Sequence, residues 1–280
     1  MSSSPSAQGD LKMNNPVLSD KEFQQFRGMI FEIAGISMSD AKKPLVSGRL
    51  AKRVRQHGLS GYGEYFRLLM SERAELQVAV DLLTTNETYF FREPKHFDFL
   101  RERILPELLD RSSLRVWSGA CSSGEEPYSI AMTLADALGS RPWELFASDL
   151  STRMLEKARA GLYDIADAEN IPRPLLNRYC LKGVGEHAGK LLIDPALCNR
   201  LRFQQINLNS ALPELGEFEV IFLRNVMIYF NLETKRQVVR RMLPLLKPGG
   251  YFIVSHSESL NGVCDELKVV APSIYRKPHA

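Results

Sequence analysis

One stretch constrains this chain more than any other: Arg115-Val-Trp-Ser-Gly-Ala-Cys-Ser-Ser-Gly-Glu-Glu-Pro-Tyr-Ser-Ile130. It reads as a short strand ending at Trp117, a loop of small residues, and a helix entered at Pro127. Proline is tolerated in a helix's first turn, where its missing N–H would have no partner. Gly119, Ala120, Ser122, Ser123 and Gly124 leave the loop backbone open to close approach by a ligand. In an open α/β sheet, a strand leading through such a loop into a helix N-terminus is where nucleotide-like ligands bind. Glu125 and Glu126 stand where a phosphate would go, which points to a ligand that is neutral or cationic at this end.

The rest of the chain fits an α/β protein. Predicted strands Leu114–Trp117, Glu144–Ser148, Leu201–Ile206, Glu219–Leu223 and Tyr251–Ser255 alternate with helical segments, with a turn at Lys247–Gly250 and a final strand over Val269–Tyr275. This alternation implies a parallel sheet with right-handed crossovers, all strand C-termini on one edge. Gly119, Asp149, Asn207, Arg224 and Asn225 fall at those ends. Between Asp167 and Arg200 the alternation fails. Two apolar runs, Tyr179–Leu181 and Leu191–Ile193, flank a turn-rich segment and predict an inserted β-hairpin module within about 175–203.

Before the sheet the pattern is helical. Residues 1–17 read as a flexible tail without a secretory signal, and no apolar run approaches the roughly 20 residues of a membrane span. Ser19 and Glu22 form a capping box, and helical spacing continues to residue 84, so 18–84 is expected to be a small all-helical domain. Residues 85–100 read as a linker and 101–280 as the α/β domain. From Ala41 to Gly63 there is no acid but six bases: Lys42, Lys43, Arg49, Lys52, Arg53 and Arg55. The pattern fits either a solvated helix face or a docking face for an acidic partner, nucleic acid or protein. The net charge of +3 does not by itself imply nucleic acid. The four cysteines have no C-x-x-C pair and read as free thiols of a reducing compartment; the five histidines are scattered, so no metal site is expected.

An acid at the end of the second strand, Asp149, suits a ribose diol, whose hydroxyl protons a carboxylate accepts. Nicotinamide dinucleotides and S-adenosylmethionine share that design. The dinucleotides carry a pyrophosphate and want a glycine loop without acids, whereas the sulfonium cofactor tolerates them, so the loop favours S-adenosylmethionine.

Four motifs in order, Thr84-Thr-Asn-Glu-Thr-Tyr-Phe-Phe-Arg-Glu93, Ser122-Ser-Gly-Glu-Glu-Pro-Tyr-Ser-Ile130, Phe146-Ala-Ser-Asp149 and Arg224-Asn-Val-Met-Ile-Tyr-Phe230, closely resemble the CheR family of bacterial chemotaxis receptor methyltransferases. The resemblance runs from about residue 19 to 276. It implies a class I, Rossmann-like S-adenosylmethionine-dependent methyltransferase domain with an inserted β-subdomain, preceded by a small helical domain. It implies transfer of a methyl group to glutamate side chains of chemoreceptors, giving glutamyl methyl esters and S-adenosylhomocysteine, in a cytoplasmic monomer recruited to receptor arrays. Carried over by position, it implies cofactor contacts at Asn86, Thr88, Arg92, Glu126, Asp149, Asn207, Leu208, Arg224 and Asn225, with Arg92 and Tyr229 close to the transferring methyl. Acidic receptor helices then become the expected partner of Arg49, Lys52, Arg53 and Arg55, and the inserted module a candidate dock for a receptor tail. Cys121 is expected to act only as a small residue. A nucleic-acid methyltransferase with a basic N-terminal module and a non-catalytic cofactor-binding adaptor are the rival readings; the first usually carries an Asp/Asn-Pro-Pro-Tyr/Phe signature where this chain has Arg224-Asn-Val-Met.

Overall fold

In the computed structural model, which describes residues 16–279, Ser19 opens the first helix through the expected capping box. Its hydroxyl accepts from the Glu22 N–H at 3.3 Å, and the Glu22 carboxylate accepts from the Ser19 N–H at 2.9 Å. Most of the stretch expected as a tail, up to residue 15, lies outside the described residues. Helix α1 (Asp20–Ala34) ends at Gly35, which takes φ 71°. Helices α2 (Lys43–Gln56), α3 (Tyr62–Ser71) and α4 (Arg73–Leu83) follow. Their apolar faces, carrying Phe26, Ile30, Leu50, Val54, Tyr65 and Val80, close into one core.

The linker leads into α5 (Lys95–Phe99), a π-helical turn over Leu100–Ile104, and α6 (Leu105–Glu107). Then come β1 (Leu114–Ser118), α7 (Glu125–Leu138), β2 (Trp143–Asp149), α8 (Thr152–Ala160), β3 (Leu162–Asp164), α9 (Arg173–Tyr179), β4 (Cys180–Lys182), β5 (Lys190–Ile193), α10 (Pro195–Cys198), β6 (Leu201–Gln205), β7 (Phe218–Phe222), α11 (Leu232–Met242), β8 (Leu246–Ile253), β9 (Lys268–Ala271) and β10 (Ile274–Arg276). The main sheet has seven strands in the order β6-β2-β1-β7-β8-β10-β9. The first five named are parallel to one another, and β10 runs antiparallel to both β8 and β9. Side chains alternate across the sheet, as the strand period of two requires. Val116 joins a core with Ile130 of α7 on one face, and Trp117 joins a core with Val239 of α11 on the other. The chain is thus a helix–sheet–helix sandwich of class I methyltransferase type with a helical domain attached.

Three expectations need correction. Lys247–Gly250 is not a turn before the fifth strand but a bulge within it: β8 pairs with β7 at Leu246 and again from Tyr251, and between them Gly249 and Gly250 bond to the Lys277 backbone. The single final strand is a hairpin, β9 and β10, broken at Ser273, which takes φ 59°. The inserted module is a three-stranded antiparallel sheet, β3-β5-β4, rather than a two-stranded hairpin. Its extra strand, Leu162–Asp164, lies before the stretch from which a hairpin was expected. It is three residues long with both ends exposed, so it carries almost no apolar pattern.

Polar contacts join the helical domain to the sheet. The Asp81 carboxylate of α4 accepts from the Thr152 and Arg153 N–H groups at the start of α8, both at 3.2 Å, and from the Thr152 hydroxyl at 2.9 Å. An acid at a helix start satisfies orphan N–H groups and meets the positive end of the helix dipole. The Ser37 N–H donates to the Tyr229 carbonyl at 2.8 Å, beside an isolated bridge between Ile36 and Phe230. Among the described residues no helix is long and apolar enough to cross a membrane.

Candidate active site

A cleft of about 920 Å³, counting the part open to solvent, lies over the carboxyl ends of β1, β2, β6 and β7. The linker and the end of α1 wall its other side. Asn86, Thr88, Arg92, Glu126, Asp149, Asn207, Leu208, Arg224, Asn225 and Tyr229 all line it. Topology explains this convergence: parallel strands deliver their following loops to one edge, so residues far apart in sequence meet there.

The loop after β1 is shaped by backbone, not bulk. Gly124 takes φ 104°, and a Cβ there would sit 2.6 Å from the Tyr163 hydroxyl and 3.0 Å from Ala158. Ser122 also takes a positive φ, 48°, and its N–H donates to Asp149 Oδ2 at 2.8 Å. The Ser151 N–H donates to Asp149 Oδ1 at the same distance. Two N–H groups thus aim a buried carboxylate, which makes no ion pair among the described residues, and each oxygen keeps a lone pair for a hydroxyl donor. Burial raises its pKa against the pull of those N–H groups. Cys121 is fully buried; burial, then Asp149, drive its thiol pKa up, so it stays protonated and inert, as a space-filling residue should.

The two acids of the loop are not bare. Glu125 accepts from the Ser123 hydroxyl at 2.8 Å. Glu126 accepts from the Ser118 hydroxyl at 2.7 Å and from Arg224 Nη1 at 2.8 Å. Arg224, whose side chain is 1% exposed, also meets Glu93 at 3.2 Å and donates to the Arg92 carbonyl at 2.5 Å. Glu126 thus lines the cleft with its charge answered by Arg224. Asp149 is the acid whose charge is left to the ligand side.

Arg92 is held by the linker itself. Its Nη1 donates to the Glu87 carbonyl at 2.8 Å, and its guanidinium lies 5.6 Å from the Tyr89 ring centre. Tyr229 ends a 3₁₀ turn, Met227–Tyr229, after β7. Asn86 donates to the Thr84 hydroxyl at 3.1 Å, while its carbonyl accepts from the Ser122 hydroxyl at 3.1 Å, tying the linker to the loop. Thr88 is half-buried and Leu208 buried in the wall. Asn207 spends its side chain on structure, donating to the Ile33 carbonyl of α1 at 2.6 Å and accepting from the Asn209 N–H at 2.9 Å.

The basic helix divides differently from its sequence pattern. Arg49 donates to the Leu83 and Thr84 carbonyls at 3.1 and 2.9 Å, closing the end of α4. Arg53 forms a two-point pair with the buried Glu75, which also accepts from the Tyr65 hydroxyl at 2.6 Å. Lys52 and Arg55 are exposed. Two of the four bases thus hold the helical domain together.

Sequence reading did not single out Glu93 or Glu258. Glu93 takes φ 58° and links Arg224 to the His256 N–H, from which it accepts at 3.1 Å. Glu258 accepts from the N–H groups of Asn225, Ile228 and Ser255 and from the Ser255 hydroxyl, at 2.8 to 3.2 Å. It thereby fixes the loop that carries Asn225 and Tyr229, with Asn225 itself at φ 58°. An acid just after a strand on the ligand edge was the available signal for Glu258.

Comparison with known proteins agrees with this geometry. Residues 86–275 match the family described as CheR methyltransferase, SAM binding domain, and residues 21–84 match CheR methyltransferase, all-alpha domain. A chemotaxis protein methyltransferase of Salmonella typhimurium is 41% identical over 263 residues, covering 92% of this chain and 90% of the relative. That of Escherichia coli is 42% identical, covering 92% and 91%, and chemotaxis protein methyltransferase 2 of Pseudomonas aeruginosa is 42% identical, covering 91% and 92%. A solved magnesium protoporphyrin IX methyltransferase of Synechocystis superposes only loosely, with TM-score 0.41 and 12% identity over 74% of this chain and 83% of that one.

Proposed function

This chain belongs to the CheR methyltransferase family, S-adenosylmethionine-dependent enzymes of chemotaxis, and from that premise we propose that it methylates glutamate side-chain carboxylates on the cytoplasmic helical region of chemoreceptors. The observation that carries the reading is one cleft lined by all ten residues that the resemblance places at the cofactor or the transferring methyl. The residues suit the cofactor. Asp149 is aimed by two N–H groups and keeps lone pairs for a ribose diol, Leu150, Ile206 and Leu208 offer apolar wall, and Arg224 neutralises Glu126.

When bound, S-adenosylmethionine supplies an electrophilic methyl group on a sulfonium. A solvated glutamate has a pKa near about 4.3, so it is already a carboxylate at neutral pH and needs no general base. The protein's task is then positioning and exclusion of water, which can lower a barrier by several kcal/mol. Arg92, pre-set by the Glu87 carbonyl, orients the incoming carboxylate, and Tyr229 sets its approach. The pair with Arg92 must loosen toward the transition state, or it would blunt the nucleophile. Exposed bases on α2, Lys52 among them, steer the acidic receptor helices. In the inserted sheet β4 has one neighbour, the arrangement a receptor tail would need to add a strand.

Incubation of the protein with methyl-labelled S-adenosylmethionine and receptor-containing membranes tests this reading. Label should appear on receptor and be released as methanol in alkali, as an ester requires. Arg92→Ala should lower the rate about a hundredfold, the scale of lost alignment. Alkali-stable label, or wild-type rates in that variant, would overturn the assignment.

A further inference from the structure

Scattered histidines gave no sign of a metal site in the sequence, yet folding gathers two of them beside an acid. Glu93, His96 and His256 each present a ligand atom, all within 4.8 Å of one another. Glu93 lies in the turn before α5, His96 in the first turn of α5, and His256 follows β8. The His96 ring is 1% exposed, and its Nδ1 has no hydrogen-bond partner. Its Nε2 lies 3.1 Å from the Ser273 hydroxyl. In the tautomer that donates its proton from Nε2 to Ser273, Nδ1 carries a bare lone pair. Nδ1 lies 3.4 Å from Glu93 Oε2, an oxygen that also meets Arg224 at 3.2 Å and accepts from the His256 N–H at 3.1 Å.

The spacing identifies the class of cation. Zinc holds nitrogen and carboxylate oxygen at about 2.0–2.1 Å in a tetrahedron, which sets neighbouring ligand atoms roughly 3.3–3.4 Å apart. The second histidine is exposed, with its ring centre 4.7 Å from that of His96 and a ring nitrogen within 4.8 Å of the other two ligand atoms. A metal-ligating imidazole usually has its other nitrogen held by a carboxylate, a carbonyl or water, and at His96 the Ser273 hydroxyl takes that place. Charge agrees: Arg224 alone answers both Glu93 and Glu126, leaving one negative charge over in this pair. We propose that Glu93, His96 and His256 form a binding site for a divalent transition cation, zinc by its donor set, which ties the linker to the loop after β8. Magnesium and calcium, which want oxygen ligands, do not suit it. The fourth position opens to solvent beside His256. The cation has no part in methyl transfer; it secures Glu93, which positions Arg224.

Untagged full-length protein dialysed against zinc chloride, then analysed for bound metal, tests the site. Wild type should hold one equivalent of zinc, and magnesium chloride should not displace it. His256→Ala removes an exposed ligand without disturbing the core and should weaken zinc binding by more than about tenfold, the loss seen even for outer-shell partners. His187→Ala, at an exposed histidine elsewhere, should bind like wild type. Zinc should also raise the melting temperature of wild type and not of His256→Ala. No zinc on wild type, or equal zinc on wild type and His256→Ala, would overturn the proposal.

Discussion

Arg224 Nη1 lies 2.8 Å from Glu126 Oε2, so the end of β7 is bolted to the first turn of α7 inside the wall of the cleft. The two residues are 98 apart in sequence. The same guanidinium reaches Glu93, which makes it the joint between sheet, first loop and linker.

Removing that joint should cost stability before it costs anything else. Arg224→Ala leaves two carboxylates without their counter-charge, and loss of one partner from a buried pair typically costs roughly 3–5 kcal/mol. Urea unfolding should show that loss, with Arg224→Lys intermediate because it keeps the charge without the fork. A wild-type midpoint for Arg224→Ala would mean that the joint carries no strain of the fold.

Asp149 should separate cofactor binding from folding. Asp149→Ala removes the acid facing the ligand and leaves the Ser122 and Ser151 N–H groups turned toward the space the carboxylate vacates at the cleft. Titration calorimetry should show S-adenosylmethionine affinity falling about ten- to hundredfold, the scale of one or two lost charge-assisted hydrogen bonds. Unchanged affinity would remove Asp149 from the proposed ribose site.

The basic helix offers a contrast between neighbours. Arg53→Glu faces Glu75 with a like charge in a mostly buried setting and should unfold the helical domain, seen as a lower melting temperature. Lys52→Glu, one residue away and exposed, should leave melting unchanged and slow receptor methylation several-fold, more so at low salt. If Lys52→Glu methylates receptor as fast as wild type at low salt, that part of α2 does not steer the substrate.

Glu75 also predicts how acid acts on this domain. Burial pushes its carboxyl pKa up, but hydrogen bonds from Arg53, Tyr65 and His57 outweigh burial and bring it down from 4.5 to about 2. An acid with a depressed folded pKa stabilises the fold while ionised. That stability is complete above the unfolded value of 4.5 and drains away as pH falls toward about 2. Glu75→Gln should therefore be less stable than wild type at pH ~7, with the gap narrowing between pH ~4.5 and ~2. A gap that stays constant over that range would assign its effect to packing alone.

Much of this was legible in local pattern. The capping box at Ser19, the ending of α1 at Gly35 and the strand–loop–helix around Gly119 depend on neighbours within a few residues, and each formed where its residues predict. Short elements were less legible. Leu162–Asp164 is a strand because β5 lies beside it, not because three residues with exposed ends favour one. Pro248 and the two glycines after it read as a turn, yet they continue β8 as the bulge between its two registers with β7, with Gly249 and Gly250 bonded to the backbone of Lys277.

The order of strands and loops, written into alternating apolar runs, was enough to send Asp149, Asn207, Arg224 and Asn225 to one edge of one sheet, because parallel crossovers leave no other choice. Charge was a different matter. Whether Arg53 meets a partner or Glu75, whether Glu126 faces a ligand or Arg224, and whether His96 and His256 are strangers or neighbours depend on groups 22, 98 and 160 residues apart. Periodicity is set by the nearest turn or the next pleat, but a side chain's counter-charge is set by distance in space, and only the packed chain supplies that distance.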